Sequence, residues 1–322
     1  MAVASVQTSP EQVRRVQVEM KKQRKRQLRR RRLPLMPAMI FLVVLTQIPF
    51  LVTIGISLFR WNILYPESTK FGGLRNYKTV FTDPRLRAAI VNTLTMTVAG
   101  VLISLAIGTA LALLLNRTFL GRGIARTLLI TPFLIMPMAA ALMWKHVMYN
   151  PDYGLLNGVL AWIGDVLGFK PPVIDWIGAW PMAAVVVSIV WTWMPFMMLI
   201  TLAGLQSQDP DVLEAARVDG AGAFGQFRYI TFPHLRQYLQ LATVLGSIYL
   251  LQVYDQVFTI TQGGPGTATT NLPYEIYLTE FRKYDYGEAS AAGVIVVIGT
   301  IILANFGLRL VSSLMDVQEG SR

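Results

Sequence analysis

Six runs of mostly apolar residues, at about 35–59, 88–115, 124–148, 182–205, 238–260 and 289–312, each exceed twenty residues. A helix rising 1.5 Å per residue needs about 20 apolar residues to cross about 30 Å of hydrocarbon, so every run is long enough to be a span. The composition agrees, because 53% of the 322 residues are hydrophobic and only 15% are charged, whereas soluble domains carry about 25% charged residues. The expected fold class is therefore all-α, a polytopic membrane protein with six transmembrane helices. The first run is too long for a cleaved signal peptide, and no small-residue cleavage site follows it before Arg60 and Trp61.

Charge sets the expected orientation. Of the 29 Lys and Arg, eleven precede Leu33, which divides the chain into a basic tail, 1–33, and a transmembrane domain, 34–322. Placing the N-terminus inside assigns nineteen basic residues to the cytoplasmic side and nine to the outside, six of the nine within 60–87. Both termini are then cytoplasmic. The run from Lys21-Lys22-Gln23-Arg24-Lys25-Arg26 to Arg32 has the composition of a nucleic-acid patch. Beside a span it reads better as a topology anchor drawn to anionic membrane lipid, at about 1 kcal/mol per basic residue, and no nucleic-acid partner is expected.

With no cysteine, a disulfide framework, a thiolate nucleophile and a cysteine-held metal are excluded. The two imidazoles, His146 and His234, fall on opposite sides of the membrane in this topology, which leaves no histidine metal site. The loops expected outside, about 60–87, 149–181 and 261–288, carry Trp61, Tyr65, Trp176 and Trp180, as an interfacial aromatic belt requires.

The loop at about 206–236 is different. Asp209 suits a helix N-cap and Pro210 the first helical position, with Asp211 and Glu214 where the helix dipole favours anions. A short helix through Val218 should end at Asp219-Gly220, since glycine tolerates the left-handed conformation. A second short helix, with Phe224, Phe227 and Ile230 on one stripe, is expected to close at Pro233. Such a helix–turn–helix knob exposes apolar residues that need a partner.

The segment Glu214-Ala215-Ala216-Arg217-Val218-Asp219-Gly220-Ala221, continued by Ile230-Thr231-Phe232-Pro233, resembles the EAA loop of permease subunits of binding-protein-dependent ABC importers. Phe232 stands where leucine is usual before the proline, and Gln237 where a second proline often lies. The resemblance implies a type I importer permease whose loop seats in a groove of a separate ATPase. Glu214, Ala215, Ala216, Asp219 and Gly220 are then the coupling residues, with Glu214 touching the ATPase and Gly220 making the turn. The sequence holds no G-x-x-x-x-G-K-[ST] phosphate loop, so no cofactor is expected in this chain, and ATP and magnesium would bind the partner. Phe71-Gly72-Gly73-Leu74-Arg75-Asn76-Tyr77 and Thr261-Gln262-Gly263-Gly264-Pro265-Gly266 are similar to segments of sugar permeases of the maltose-importer type. That implies a second permease subunit, two ATPase subunits, an external solute-binding protein and a place in the bacterial cytoplasmic membrane.

Polar groups inside a span usually face a cavity or a partner. Gln252, Tyr254, Asp255 and Gln256 cluster in the fifth run with only Val253 apolar among them. Asp255 suits bidentate hydrogen bonds to vicinal hydroxyls, or it bridges to the partner permease. Trp191 and Trp193, beside Pro195, offer either a stacking platform for a sugar ring or a packing bend. Asn305 is expected to bond between helices, and Lys145 to snorkel to the outer interface. No Lys or Arg lies at mid-span, which favours a neutral sugar or sugar alcohol over an anion such as glycerol phosphate. A gradient-driven secondary transporter, the rival from another class, would need midplane ion ligands in inverted repeats.

Overall fold

The computed structural model describes Met20 and residues 33–319. The basic tail expected at 1–33 therefore lies outside the described residues, apart from Met20 and Leu33. The chain divides into two units, Met1–Gly55 and Ile56–Arg322. In the first, helix α1 (Met36–Ser57) begins, and Met39, Ile40, Phe41, Leu42 and Leu45 are all exposed. Pro49 lies inside it, and the hydroxyls of Thr46 and Thr53 donate to the carbonyls of Leu42 and Pro49 at 2.8 and 3.0 Å. Bonding polar side chains back to the helix in this way suits a lipid environment.

The second unit opens with a short hairpin, β1 (Phe59–Arg60) antiparallel to β2 (Lys70–Phe71), with Phe59 opposite Phe71. Helix α2 (Arg75–Thr82) follows. Its buried Asn76 donates to the carbonyls of both Ser57 and Phe59 at 2.8 Å, which fixes the turn out of the first run. Asp83 then caps α3 (Pro84–Asn116), its carboxylate accepting from the amides of Arg85 and Leu86.

Next come α4 (Arg122–Leu134) and α5 (Pro137–Met143), the latter continuing as a π-helical turn over Trp144–Met148. The axis bends by 100° between Leu134 and Pro137. Ile135 and Met136 are extended there, because the residue before a proline is pushed out of the helical region. Helices α6 (Leu155–Leu167) and α7 (Trp176–Ala179) lead to the long α8 (Pro181–Gln206).

The core of this unit is α3 against α8. Ala89, Thr93, Thr97, Gly100, Ser104, Gly108 and Ala112 recur every three or four residues on α3, and all are buried. This stripe of small residues lets the backbones approach, as helix packing in membranes requires. At Gly108 the approach is closest: a Cβ there would sit 2.8 Å from the Met198 amide nitrogen and 2.9 Å from the Met194 carbonyl oxygen. Around the stripe, Met96, Val101, Val185, Ile189, Leu250 and Val257 form one buried cluster, and Leu115, Met198, Leu202, Leu205 and Leu235 another.

The remaining elements are α9 (Pro210–Val218), α10 (Ala223–Gln226), α11 (Phe232–Leu250), α12 (Leu272–Phe281) and α13 (Tyr286–Glu319). The fold is all-α as expected, and the count of six spans is not reproduced exactly among the described residues. Among the described residues, α1, α3 and α8 are long and apolar enough to cross a membrane, with the bent α4–α5 pair a fourth if taken as one span. The third run is broken at its prolines. The fifth ends at Leu250, short of the expected Ile260, and α11 carries His234 and Arg236 in its first turns.

Candidate functional site

The loop from Gln206 to Arg236 builds itself from local chemistry. Asp209 caps α9 by accepting from the Asp211 amide at 3.0 Å, and Pro210 occupies the first turn. At the other end Gly220 adopts φ +84°, its amide donates to the Arg217 carbonyl at 3.0 Å, and the Ala221 amide reaches the Ala216 carbonyl at 2.9 Å. These two bonds are the Schellman closure, which satisfies the last carbonyls of a helix only when the residue after the cap is left-handed. The Gln226 side chain donates to the Ala221 carbonyl at 2.8 Å and ties α10 to the turn. Glu214, Ala215, Asp219 and Gly220 are exposed and Ala216 is buried, so α9 presents a carboxylate and a small side chain midway along its exposed face and a second carboxylate at its closed end. Val218, beside them, is 87% exposed.

The loop is anchored at its root. His234 Nε2 lies 3.0 Å from the Gly204 carbonyl oxygen and from Ser207 Oγ, and Ser207 Oγ lies 2.7 Å from the Tyr238 hydroxyl. The histidine thus clips the end of α8 to the start of α11.

Pro233 does not close a second short helix. From Ala223 to Leu250 the path stays helical, with α10 passing through a π turn, Phe227–Thr231, into α11. Proline cannot donate to the residue four before it and its ring crowds that carbonyl. The wider turn, in which the Phe232 amide bonds the Phe227 carbonyl, makes room for the ring.

A second site forms where the fifth run breaks. After Leu250 the amides of Gln252 and Val253 reach back only three residues, and helix resumes at Asp255 to end in a π turn, Val257–Thr261. A break in a helix leaves backbone polar groups that must be paired elsewhere when buried. Here Asn271 Nδ2 donates to the Val253 carbonyl at 2.5 Å, and Lys145 Nζ to the Thr259 carbonyl at 2.8 Å. Lys145, expected to snorkel, is instead half-buried and bound to this π turn. The glycine-rich segment that follows is pinned to α3, with Asn92 Nδ2 donating to the carbonyls of Thr267 and Thr270 at 2.8 and 2.9 Å.

Of the polar cluster expected in the fifth run, Gln252 is exposed, Tyr254 and Asp255 are half-buried and Gln256 is 3% exposed. The four do not share one surface. Tyr254 stacks on Phe258 with ring centroids 5.3 Å apart and meets the edge of Tyr277 at 5.5 Å. Trp191 and Trp193 go separate ways: Trp191 packs edge-on against Trp144 at 5.9 Å, whereas Trp193 stacks on Tyr249 at 5.3 Å. Two residues at 100° per step point to nearly opposite sides of a helix, so the pair makes no common platform. Trp193 and Tyr254 do pack on the same buried cluster. Asn305 is exposed and donates to the Ile301 carbonyl of its own helix at 2.8 Å, not to a neighbouring one.

The aromatic neighbours of Tyr254 are missing from the residues singled out in the sequence. Tyr274, Tyr277 and Phe281 recur at helical spacing along α12 and touch in series, the first pair stacked and the second tilted, a periodicity readable in the sequence once α12 is known to be a helix. Burial first, and then the neighbouring Tyr277 phenol, push the Tyr274 hydroxyl above its ordinary value, so the ring stays neutral.

A family model for the binding-protein-dependent transport system inner membrane component matches residues 104–317, which include both sites. The chain belongs to that family. The permease is 36% identical over 271 residues to a probable ABC transporter permease protein of Sinorhizobium fredii, covering 84% of this chain and 85% of that one. It is 34% identical over 277 residues to the trehalose/maltose transport system permease protein MalF of Thermococcus litoralis, covering 85% and 90%. Its fold matches a chain of a bacterial ABC transporter involved in the import of the acidic polysaccharide alginate, with a TM-score of 0.74 at 22% identity over 90% of the permease and 99% of that chain.

Proposed function

We propose that this permease subunit forms half of the pathway of an ATP-driven importer for a neutral sugar or sugar alcohol, working with a second permease, two ATPase subunits and an external solute-binding protein. The observation that carries the coupling half of this reading is the Schellman-closed end of α9. A helix capped at both ends, with Glu214 and Ala215 exposed midway along it, is suited to seat in a basic groove of a separate motor, which would hold the ATP and magnesium. Both termini and this loop are then on the cytoplasmic side. The carbohydrate half is supported by the trehalose/maltose relative, by the exposed Gln252 and half-buried Asp255 at the break, and by the ring faces of Trp193 and Tyr254 nearby. Hydroxyl-rich, uncharged rings are recognised by amides, carboxylates and aromatic faces without a fixed cation.

Motion of the ATPases would be carried by the loop to the broken fifth span, a coupling of two sites through one two-state element. Uptake into vesicles holding the assembled transporter tests the reading. Import that needs both ATP and the binding protein, and survives collapse of the ion gradients, is expected. Import that tracks an ion gradient without ATP would make the chain a secondary carrier. Thermal-shift screening of the cognate binding protein against sugars and alditols identifies the solute, and a response only to anions would overturn the carbohydrate assignment.

A further inference from the structure

The helical path that leaves the Gly220 turn bears a groove of about 820 Å³ along one side. Phe224, Arg228, Phe232, Arg236, Leu239 and Thr243 are among its lining residues, and their spacing of three or four places them on a single stripe. Phe224 is 74% exposed, and Phe232 is also exposed, whereas Arg236, Leu239 and Thr243 are half-buried. The groove passes from cationic and aromatic at the loop to aliphatic further along α11.

Charge is divided sharply at the turn. Asp209, Asp211, Glu214 and Asp219 all precede Gly220, and no acid occurs from Gly220 to Tyr254. Neither Arg228 nor Arg236 pairs with a carboxylate among the described residues. The Arg228 guanidinium rests over the Tyr229 ring, 5.9 Å from its centroid, which holds it at the rim. One side of the turn is thus chemically suited to a basic protein groove, and the other to an anion with an apolar tail.

We propose that this groove binds an anionic phospholipid of the cytoplasmic leaflet. Arg228 and Arg236 start about 12 Å apart along the helix, and their side chains are long enough to converge on one phosphate. An acyl chain then runs past Phe232 toward Leu239 and Thr243, with Phe224 and Tyr229 at headgroup level, where aromatic rings are favoured. Basic pockets at the cytoplasmic ends of membrane helices hold acidic headgroups in this manner. The proposal rests on the reading that the loop faces the cytoplasm.

The test uses the assembled transporter in nanodiscs of phosphatidylcholine doped with phosphatidylglycerol, followed by release and native mass spectrometry. Retention of phosphatidylglycerol over phosphatidylcholine by roughly tenfold or more is expected. The double variant Arg228→Gln/Arg236→Gln should lose that preference, and Arg228→Lys/Arg236→Lys should keep most of it. Equal retention of the two lipids, or retention unchanged in the glutamine variant, overturns the proposal. So does displacement of the lipid by millimolar inorganic phosphate, which would mark a site for a soluble anion. A photo-crosslinker at Gln240 should label lipid, and labelling of the second permease instead would make the groove a subunit interface. Co-purification of the ATPase is scored in parallel. Its loss in the wild type would sink the coupling reading, whereas its presence without lipid selectivity sinks only this one.

Discussion

Asn271 donates to the Val253 carbonyl at 2.5 Å while its own Oδ1 accepts from the Tyr274 amide at 3.2 Å. One side chain therefore caps α12 and closes the gap in the fifth run. Asn271→Asp keeps the cap but loses the donor, leaving a carbonyl unpaired away from water, at a cost of about 1–3 kcal/mol. The purified permease should melt earlier as Asn271→Asp, with Asn271→Ala lower still. An unchanged melting temperature for both would show that the carbonyl finds another donor.

Gly220 sits at φ +84°, and a Cβ built there would meet no other atom within 4 Å, so backbone strain alone decides what replaces it. A residue with a Cβ pays roughly 1–2 kcal/mol there, and a β-branched one more. Gly220→Val should cut the solute imported per ATP hydrolysed at least tenfold, while Gly220→Asn keeps most of it. Normal coupling by Gly220→Val would contradict the role of the turn.

Glu214 is exposed on α9, and its charge is expected to meet a basic surface. Reversal in Glu214→Lys should weaken recruitment of the ATPase by at least about tenfold, since like charges juxtaposed at an interface cost several kcal/mol. Titration of purified ATPase onto the permease in nanodiscs measures this. Equal affinity at low salt would remove Glu214 from the interface.

At the break, the four polar residues should separate by burial. Gln252→Ala, at an exposed position, should raise the half-saturating solute concentration for uptake several-fold with normal amounts of protein in the membrane. Gln256→Leu, at a buried one, should lower the yield of folded permease. The opposite pattern, with uptake indifferent to Gln252 and Asp255, would assign this surface to contacts between the two permeases.

The apolar runs locate the helices well, because burial in lipid is read directly from composition. Where those helices break is a different matter. An averaged run at 124–148 hides the extended pair before Pro137, and the run at 238–260 hides the end of α11. The donors that make the second break tolerable, Asn271 and Lys145, come from remote parts of the chain, and no local pattern reveals them. The density of Gln252, Tyr254, Asp255 and Gln256 is a visible signal, but one that suits a polar face of a continuous helix as well as a helix end. Asp209 and Gly220 are legible because caps act within one turn. Pro233 misleads because a π turn one step earlier absorbs it.

That π turn matters beyond its own geometry. Had Pro233 ended a helix, the knob would hang on a joint and could swivel without disturbing anything above it. Instead the chain from Ala223 to Leu250 is one helical strut of about 40 Å, bounded by the left-handed Gly220 at one end and the non-helical break after Leu250 at the other, so on the proposed reading a push on the knob would have no joint to bend at before it reached Gln252 and Tyr254.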